Sequence, residues 1–323
     1  MNTIVTPIIL ALAAILDYII GDPWGWLHPV QVMGWVISRS SQFILSTCQG
    51  KWQRRWAGIV LGLGLIIGSG IVGWGIVEVA RNFHLILGIG TQTILLASCF
   101  ALKSLRLAAQ DVLEPLIKGN IDQAKIKLSQ YVGRDTENLS ETEILRAVLE
   151  TVSENATDGV TAPLFYAIAG AFFPPVGSVP LALAYKAAST LDSTIGYYKE
   201  PFTDLGWFSA KCEDFLTWFP CRLTVLTLAL MSGRPRSILS ICRRDAPQDP
   251  SPNSGWSECV YAAILGVQLG GINTYQGIIK QKPLLGNPQY PITIKTIEQA
   301  LQLTRLCFLL WLILGMVGLN YEL

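Results

Sequence analysis

Three carboxylates recur at helical spacing near the middle of the chain. Glu150, Glu154 and Asp158 are each four residues apart, so a helix that continued through this segment would place them on one face. Like charges at this spacing repel one another, and we expect no nearby basic residue to offset them. The pattern predicts a bound cation, either Mg²⁺ with these three residues as ligands or a cationic substrate. A solvated acidic face at a helix end is the alternative.

A second cluster places Arg134 beside Asp135 within the segment Val132–Thr136. The planar guanidinium group of arginine suits phosphate or carboxylate, and a neighbouring aspartate can hold that group or a metal. The pair therefore predicts an anion-binding residue with a carboxylate that orients it. A salt bridge within a loop is the alternative.

Further polar residues follow uncharged or turn-rich segments. Lys186 and Asp192 come soon after a long uncharged window, which places them near a membrane surface, where lysine often extends toward the headgroups. Arg243 and Arg244 precede a turn-rich loop, where paired arginines bind a phosphate or anchor a cytoplasmic loop. Asp17 ends an apolar helix, and an ionisable residue there is a functional candidate.

The composition that surrounds these clusters indicates a membrane protein. Of the 323 residues, 51% are hydrophobic and only 15% are charged, against roughly a quarter charged in ordinary soluble domains. The mean hydropathy is +0.42. Residues 56–77, 85–102, 159–185 and 306–321 contain no charge, and 22 helical residues rise about 33 Å, enough to cross a hydrocarbon core of about 30 Å. We predict an all-α polytopic membrane protein with roughly four to seven apolar helices.

The same composition excludes several other classes of protein. A net charge of +1 and the lack of a basic stripe argue against nucleic-acid binding. The seven cysteines include no C-x-x-C pair and the chain has only two histidines, so a zinc site is not expected. Any metal should therefore have oxygen ligands, which suit magnesium.

The N-terminal part is predicted to contain membrane helices. Residues 3–16 form an apolar stretch that we interpret as a retained helix, with a signal-like segment as the alternative. Residues 21–55 form a basic loop that should stay in the cytoplasm. The windows 56–77 and 85–102 then form a membrane hairpin, which returns the chain to the cytoplasmic side.

A polar helical segment at 103–158 follows on that side. Within it, Val132–Ser140 is rich in residues typical of turns and predicts a loop. Ser140 and Glu143 have the spacing of a capping box, which predicts that a helix begins there.

The uncharged window 159–185 is interrupted by Pro174 and Pro175. Since proline breaks helical hydrogen bonding, we predict two short helices that enter and leave on one face, or a bent crossing. Later helices are predicted at 222–231 and 297–319, and loops at 234–255 and 281–291. The glycines of Gly62–Gly75 are predicted to be helix-packing positions, because Gly64, Gly68 and Gly70 permit close approach.

Together these segments resemble the cobalamin-biosynthesis CobD/CbiB family, the membrane-bound adenosylcobinamide-phosphate synthases. The resemblance runs in order from the N-terminus to about Gly277. It rests on Leu16-Asp17, Gly21-Asp22-Pro23, His28-Pro29-Val30, Val132-Gly133-Arg134-Asp135-Thr136, Glu154-Asn155, Asp158-Gly159, Ala162-Pro163-Leu164-Phe165, Lys186-Ala187, Thr190-Leu191-Asp192-Ser193, Gly196-Tyr197, Phe215-Leu216, Pro220, Arg222-Leu223-Thr224, Arg244-Asp245-Ala246, Pro250-Ser251-Pro252-Asn253-Ser254-Gly255 and Gly270-Gly271.

The resemblance implies ATP-dependent condensation of adenosylcobyric acid with (R)-1-aminopropan-2-ol or its O-phosphate, which forms an amide. ATP and Mg²⁺ are the implied cofactors, because a carboxylate is a poor acyl donor until it is phosphorylated. The candidate catalytic residues are Asp135, Glu154, Asp158 and Asp192. The candidates for binding substrate or phosphate are Arg134, Asn155, Lys186, Ser193, Arg244, Asp245 and Asn253.

The resemblance also implies a single integral membrane domain over residues 1–323, located in the plasma membrane. Its active site is expected to face the cytoplasm, where ATP and the corrinoid are found. The implied partners are the corrinoid, the aminopropanol, the lipid bilayer, and either a second copy of the chain or other cobalamin-assembly enzymes.

Two alternatives come from other classes of protein. A transporter also has charges and broken helices in its membrane region, but the acidic residues here adjoin a polar segment and no inverted repeat is visible. A non-enzymatic signalling protein related to the ampicillin-resistance regulator would not need the full set of polar clusters.

Overall fold

Helices make up 75% of the computed structural model, which describes residues 5–21, 28–197 and 199–321. Four segments are long and apolar enough to cross a membrane, at 51–83, 85–117, 207–231 and 294–321. The prediction of an all-α polytopic membrane protein is confirmed. Asp22 and Pro23, and the first two residues of the stretch at 3–16, lie outside the described residues.

The described helices and strands follow one another along the chain. The helices are α1 (Val5–Ile19), α2 (Pro29–Thr47), α3 (Lys51–Phe83), α4 (Leu85–Ala97), α5 (Leu102–Ile117), α6 (Ile121–Leu128), α7 (Glu141–Asn155), α8 (Ala162–Ala171), α9 (Ser178–Ile195), α10 (Trp207–Met231), α11 (Pro235–Asp245), α12 (Ser254–Leu265) and α13 (Ile294–Tyr321). A π-helical segment, Ala156–Thr161, joins α7 to α8, and a short 3₁₀ turn, Ala246–Gln248, follows α11. The strands are β1 (Leu269–Tyr275) and β2 (Ile278–Leu285).

Two compact units divide the chain. The first comprises the residues up to Ala101, residues 162–217 and the residues from Leu310 onward. The second comprises Leu102–Thr161 and Trp218–Leu309. The polar segment predicted at 103–158 therefore belongs to the second unit, and two of the four unit boundaries fall within α10 and α13.

In the first unit, α9 packs against α2, α3, α4 and α8. Glycines allow α3 to approach α9 closely, because a Cβ at Gly70 would lie 3.3 Å from the carbonyl oxygen of Pro180 and one at Gly73 would overlap Leu183. The predicted packing role of Gly70 is confirmed. Nothing within the described chain lies within 4 Å of a Cβ built at Gly64 or Gly68, so these two predicted positions make no such contact.

The uncharged window at 159–185 is broken where the prolines predicted it. The ten residues of α8 rise only about 15 Å, half of a hydrocarbon core. After a turn, α9 begins at Ser178 and packs against α8. Gly177 enters α9 with φ of +90°, a conformation that favours glycine.

Two of the predicted loops were wrong in detail. The basic loop at 21–55 contains α2, where Pro29 takes the first helical turn after the N-cap His28. The loop at 234–255 contains α11, in which Ile238 and Cys242 are buried one turn apart. The predicted span at 85–102 lies within the candidate span 85–117, although α4 ends at Ala97 and α5 begins at Leu102.

In the second unit, β1 and β2 form an antiparallel hairpin that the sequence did not predict. Its turn uses Gln276 and Gly277, both with positive φ, the backbone of a tight two-residue hairpin. Part of the loop predicted at 281–291 is therefore strand. The capping box of Ser140 and Glu143 is confirmed at the start of α7.

Candidate active site

A lysine lies among carboxylates in the second unit. Nζ of Lys282 donates a hydrogen bond of 3.1 Å to Oε1 of Glu258. Glu154, Glu150 and Asp249 also act electrostatically on Lys282. We call these five residues the Lys282 cluster. Four acidic side chains around one lysine attract cations, and the ammonium group of Lys282 offsets part of their negative charge.

Two oxygens of this cluster have no hydrogen-bond partner among the described residues. They are Oε2 of Glu258 and Oδ2 of Asp249, and both atoms are buried. Glu258 as a whole has no solvent exposure. A buried carboxylate oxygen without a donor favours a protonated group, because desolvation penalises the charged form.

The pKa values follow from this arrangement. Burial raises the pKa of Glu258 to about 8, although the charge of Lys282 acts in the opposite direction. Burial also raises the pKa of the half-buried Glu154 above its ordinary value. Burial acts to lower the pKa of Lys282, but the negative charges of Glu258 and the other carboxylates have a larger effect and raise this pKa. Glu258 can therefore exchange a proton near neutral pH while Lys282 stays charged.

Three elements hold the Lys282 cluster together. Glu150 and Glu154 lie one turn apart on α7, Glu258 lies on α12, and Lys282 lies on β2. The hydroxyl of Ser257 donates a hydrogen bond of 2.6 Å to the carbonyl oxygen of Ser153 on α7. These contacts fix the positions of the acidic residues on α7 relative to Glu258.

Glu150 is held by two arginines. It is 2% exposed and accepts hydrogen bonds from Arg134, from Arg146 and, at 2.9 Å, from the backbone N–H of Gly270. Nη1 of Arg134 also donates to Oδ1 of Asn273 at 2.9 Å. The expectation that no basic residue offsets the predicted carboxylate stack was therefore wrong, since Arg134 reaches Glu150 from the loop 16 positions earlier and Arg146 from one turn earlier on α7.

The set Glu150, Glu154 and Asp158 does not fit a magnesium site in this arrangement. Both oxygens of Glu150 accept from cationic or backbone donors. The chain leaves α-helical geometry at Ala156, so Asp158 lies in the π-helical segment and not at the assumed i+8 position of one α-helix. In the described part of the chain, no group of three or more His, Cys, Asp or Glu residues is arranged to hold a metal ion.

Asp135 holds the turn of the hairpin. Its carboxylate accepts hydrogen bonds of 2.9 and 2.8 Å from the backbone N–H groups of Gln276 and Gly277, and its own N–H donates to the carbonyl oxygen of Thr274 at 2.8 Å. Together with the contact between Arg134 and Asn273, this docks the loop at 132–136 onto the strand pair that carries Lys282.

Arg244 and Asp245 bind each other at the end of α11. Two nitrogens of Arg244 donate to the two carboxylate oxygens at 2.6 and 2.7 Å, and the N–H of Gly286 donates to Asp245 at 3.0 Å. Burial opposes ionisation of Asp245, but these hydrogen bonds outweigh it and lower its pKa. The guanidinium group of Arg244 also donates a hydrogen bond of 2.8 Å to Oδ1 of Asn287. The Arg244 side chain is 55% exposed.

The remaining predicted site residues lie elsewhere. In the second unit, Asn155 is exposed and donates to the carbonyl oxygen of Thr151, and Asn253 precedes α12. Lys186, Asp192 and Ser193 lie on α9 of the first unit. Ser193 is exposed there and its hydroxyl donates to the carbonyl oxygen of Thr190.

Sequence reasoning missed the centre of this site. Lys282 is one of two lysines in an unpredicted strand, and its neighbours along the chain gave no signal of a role. Glu258 lies at the end of the polar stretch 249–258, which did stand out as a cluster. Arg146 was a visible neighbour of Glu150 at i−4, a spacing that favours an ion pair.

Comparisons with known proteins all point to one protein family. A family profile described as "CobD/Cbib protein" matches residues 10–304. "Cobalamin biosynthesis protein CobD" of Synechocystis sp. is 56% identical over 313 residues, which cover 97% of this chain and 92% of that protein. The protein with the same description in Halalkalibacterium halodurans is 41% identical, with 94% of each chain covered. "Cobalamin biosynthesis protein CbiB" of Salmonella typhimurium is 38% identical, with 90% of this chain and 91% of that protein covered. No solved structure matches the chain.

Proposed function

The chain belongs to the CobD/CbiB protein family and has a role in cobalamin biosynthesis; from this premise we propose that it is an ATP-dependent acid–amine ligase. The proposed reaction joins adenosylcobyric acid to (R)-1-aminopropan-2-ol or its O-phosphate through an amide bond. The observation that carries this proposal is the buried, partly unpartnered carboxyl group of Glu258 beside Lys282.

The proposed chemistry has two steps. The substrate carboxylate attacks the γ-phosphorus of ATP, which releases ADP and gives an acyl phosphate. The amine then attacks the acyl carbon, phosphate leaves, and the nitrogen loses its proton. An aminopropanol is an ammonium ion at neutral pH, so the second step needs a group that takes up a proton.

The Lys282 cluster suits the amine half of this reaction. Its carboxylates attract an ammonium ion, and the half-buried Glu154 is the cluster member that we propose contacts it. Glu258 has a pKa of about 8, close to the pH at which a proton acceptor works best. Lys282 offsets negative charge as the proton moves, and Asp158 remains a proposed catalytic residue in the adjoining π-helical segment.

No step of the proposed reaction is assigned to a magnesium ion. The predicted ligand set does not fit, because Glu150 is already bound to Arg134 and Arg146. Basic side chains remain for the anionic substrates. Arg244 is exposed and offers donors beyond its pair with Asp245, which suits a phosphate or the corrinoid carboxylate.

Product formation by the purified protein is the test. The full chain in lipid nanodiscs receives ATP, Mg²⁺, adenosylcobyric acid and either amine, and the amide is sought by mass spectrometry. We expect ATP-dependent product from the natural sequence and none from Glu154→Gln. Arg236→Gln, at an exposed position of α11, serves as the matched control and should retain full activity. Lack of product while an authentic synthase works in the same mixture would reject the proposal.

A further inference from the structure

The guanidinium group of Arg222, on α10, lies over two indole rings in the second unit. The centre of its guanidinium group is 5.1 Å from the ring centroid of Trp218 and 4.7 Å from that of Trp256. Its Nη1 donates a hydrogen bond of 3.2 Å to Oδ1 of Asn253. Two rings and an amide therefore fix the plane and direction of one cationic fork.

This cation has no ionic partner among the residues that the structure describes. Arg134, Arg146 and Arg244 are each paired with a carboxylate, whereas Arg222 contacts two aromatic rings and a neutral amide. Aromatic faces attract a guanidinium group but do not neutralise it. An arginine has five N–H donors, and one of them is used here.

The carboxylate in the neighbouring turn, Asp249, does not form an ion pair with Arg222. Asp249 lies in the loop before Asn253, but its Oδ1 accepts from the N–H of Ser251 and the hydroxyl of Ser254, within the same turn. Asn253 therefore orients the guanidinium group without cancelling its charge. A positioned, partly buried arginine without a paired carboxylate suits the recognition of planar or tetrahedral oxyanions.

We propose that Arg222 binds a phosphate group of a soluble ligand, with the half-exposed ring of Trp218 at the edge of the site. The first-choice ligands are ATP and the phosphate ester of the amine, because both carry this group. The headgroup of an anionic lipid shares the same chemistry, and α10 is one of the candidate spans. The choice of ATP and the amine phosphate rests on the proposed function, whereas binding to this site is measured without turnover.

Direct binding tests this inference. The full chain in a non-ionic detergent is titrated with ATP, with O-phospho-1-aminopropan-2-ol and with unphosphorylated 1-aminopropan-2-ol, and heat is measured by calorimetry. Arg222→Gln should weaken binding of at least one phosphate compound about 10- to 100-fold, the size expected when hydrogen bonds to a charged group are lost. Binding of the unphosphorylated amine should not change. Arg236→Gln, which removes an exposed arginine from α11, should bind like the natural sequence.

Three results would overturn the inference. One is equal binding of both phosphate compounds by the natural sequence and Arg222→Gln, and another is no binding of either by the natural sequence. The third is a dependence on Arg222 seen only with phosphatidylglycerol nanodiscs, which would assign the residue to a lipid headgroup. If Arg222→Gln does not fold, Arg222→Lys keeps the charge but loses the planar fork, and its affinity should fall at least several-fold. If the amide forms but Arg222→Gln does not weaken phosphate binding, this inference fails and the proposed ligase stands. If Arg222→Gln weakens phosphate binding but no amide forms, the proposed ligase fails and this inference stands.

Discussion

Lys282 on β2 donates a 3.1 Å hydrogen bond to one carboxylate oxygen of Glu258 on α12, while the other oxygen is buried without a partner among the described residues. The pair is therefore asymmetric, since one oxygen faces a cation and the other has space for a proton. This asymmetry distinguishes Glu258 from Glu150, whose two oxygens both accept hydrogen bonds. It makes Glu258 a group that exchanges protons and Glu150 a group that holds the structure.

Replacing Glu258 with glutamine should remove a pH dependence of stability. Its pKa is about 8 in the folded protein against an ordinary value of 4.5. The folded state therefore favours the protonated group, so its contribution is complete below about pH 4.5 and is lost as the pH rises through about 8. Relative to Glu258→Gln, the natural protein should become less stable across this range. Thermal unfolding in detergent between pH 5 and pH 8.5 measures the difference, and parallel curves would contradict it.

Removing Lys282 should destabilise the second unit. At a pH above about 8, where Glu258 is ionised, Lys282→Met leaves this buried carboxylate without its cation, and losing one partner of a buried pair costs about 3–5 kcal/mol. The double variant Lys282→Met with Glu258→Gln should recover part of that free energy of unfolding, because the uncompensated charge is gone. Lys280→Met, on the same strand but exposed, should cost less than about 1 kcal/mol. Additive effects of the two single changes would show that the pair is not coupled.

Arg134→Ala should lower the unfolding temperature as well as the activity. Arg134 is 8% exposed and bridges Glu150 and Asn273, so its loss leaves a buried carboxylate with only Arg146 and a backbone donor. Arg134→Lys should not rescue stability, because a single ammonium group cannot make both contacts in one plane. Arg236→Ala is the matched surface control. An unfolding temperature within 1 °C of the natural protein would remove Arg134 from this structural role.

Exposed single cysteines should test which side of the membrane carries the polar segments. Glu137 follows the Arg134 loop in the second unit and Lys199 follows α9 in the first, and both are exposed. The neighbouring Thr136 is 5% exposed and would label poorly. In a cysteine-free background, we expect a membrane-impermeant maleimide to modify both positions only after the cytoplasmic side is opened. Labelling of the two positions from opposite sides would argue against one cytoplasmic active face.

The sequence by itself determined the features that depend on local periodicity. Uncharged windows predicted an apolar all-α protein, Ser140 and Glu143 predicted the start of α7, and Pro174 and Pro175 predicted the break between α8 and α9. These signals are local because helical hydrogen bonds, caps and proline effects join residues only a few positions apart. The same reasoning missed α2 and α11, which lie in stretches that were assigned to loops because of their basic and turn-forming residues.

Tertiary structure alone decided which charges meet. Arg134 contacts Glu150 across 16 positions and Asn273 across 139, and Lys282 contacts Glu258 across a chain reversal. Spacing along α7 suggested one acidic face, but the loop before α7 and a hairpin from a distant part of the chain bring cations to it. The strength of a buried charge pair depends on desolvation and on partners from other elements. Neither the desolvation nor the partners could be predicted from the periodicity of a single helix.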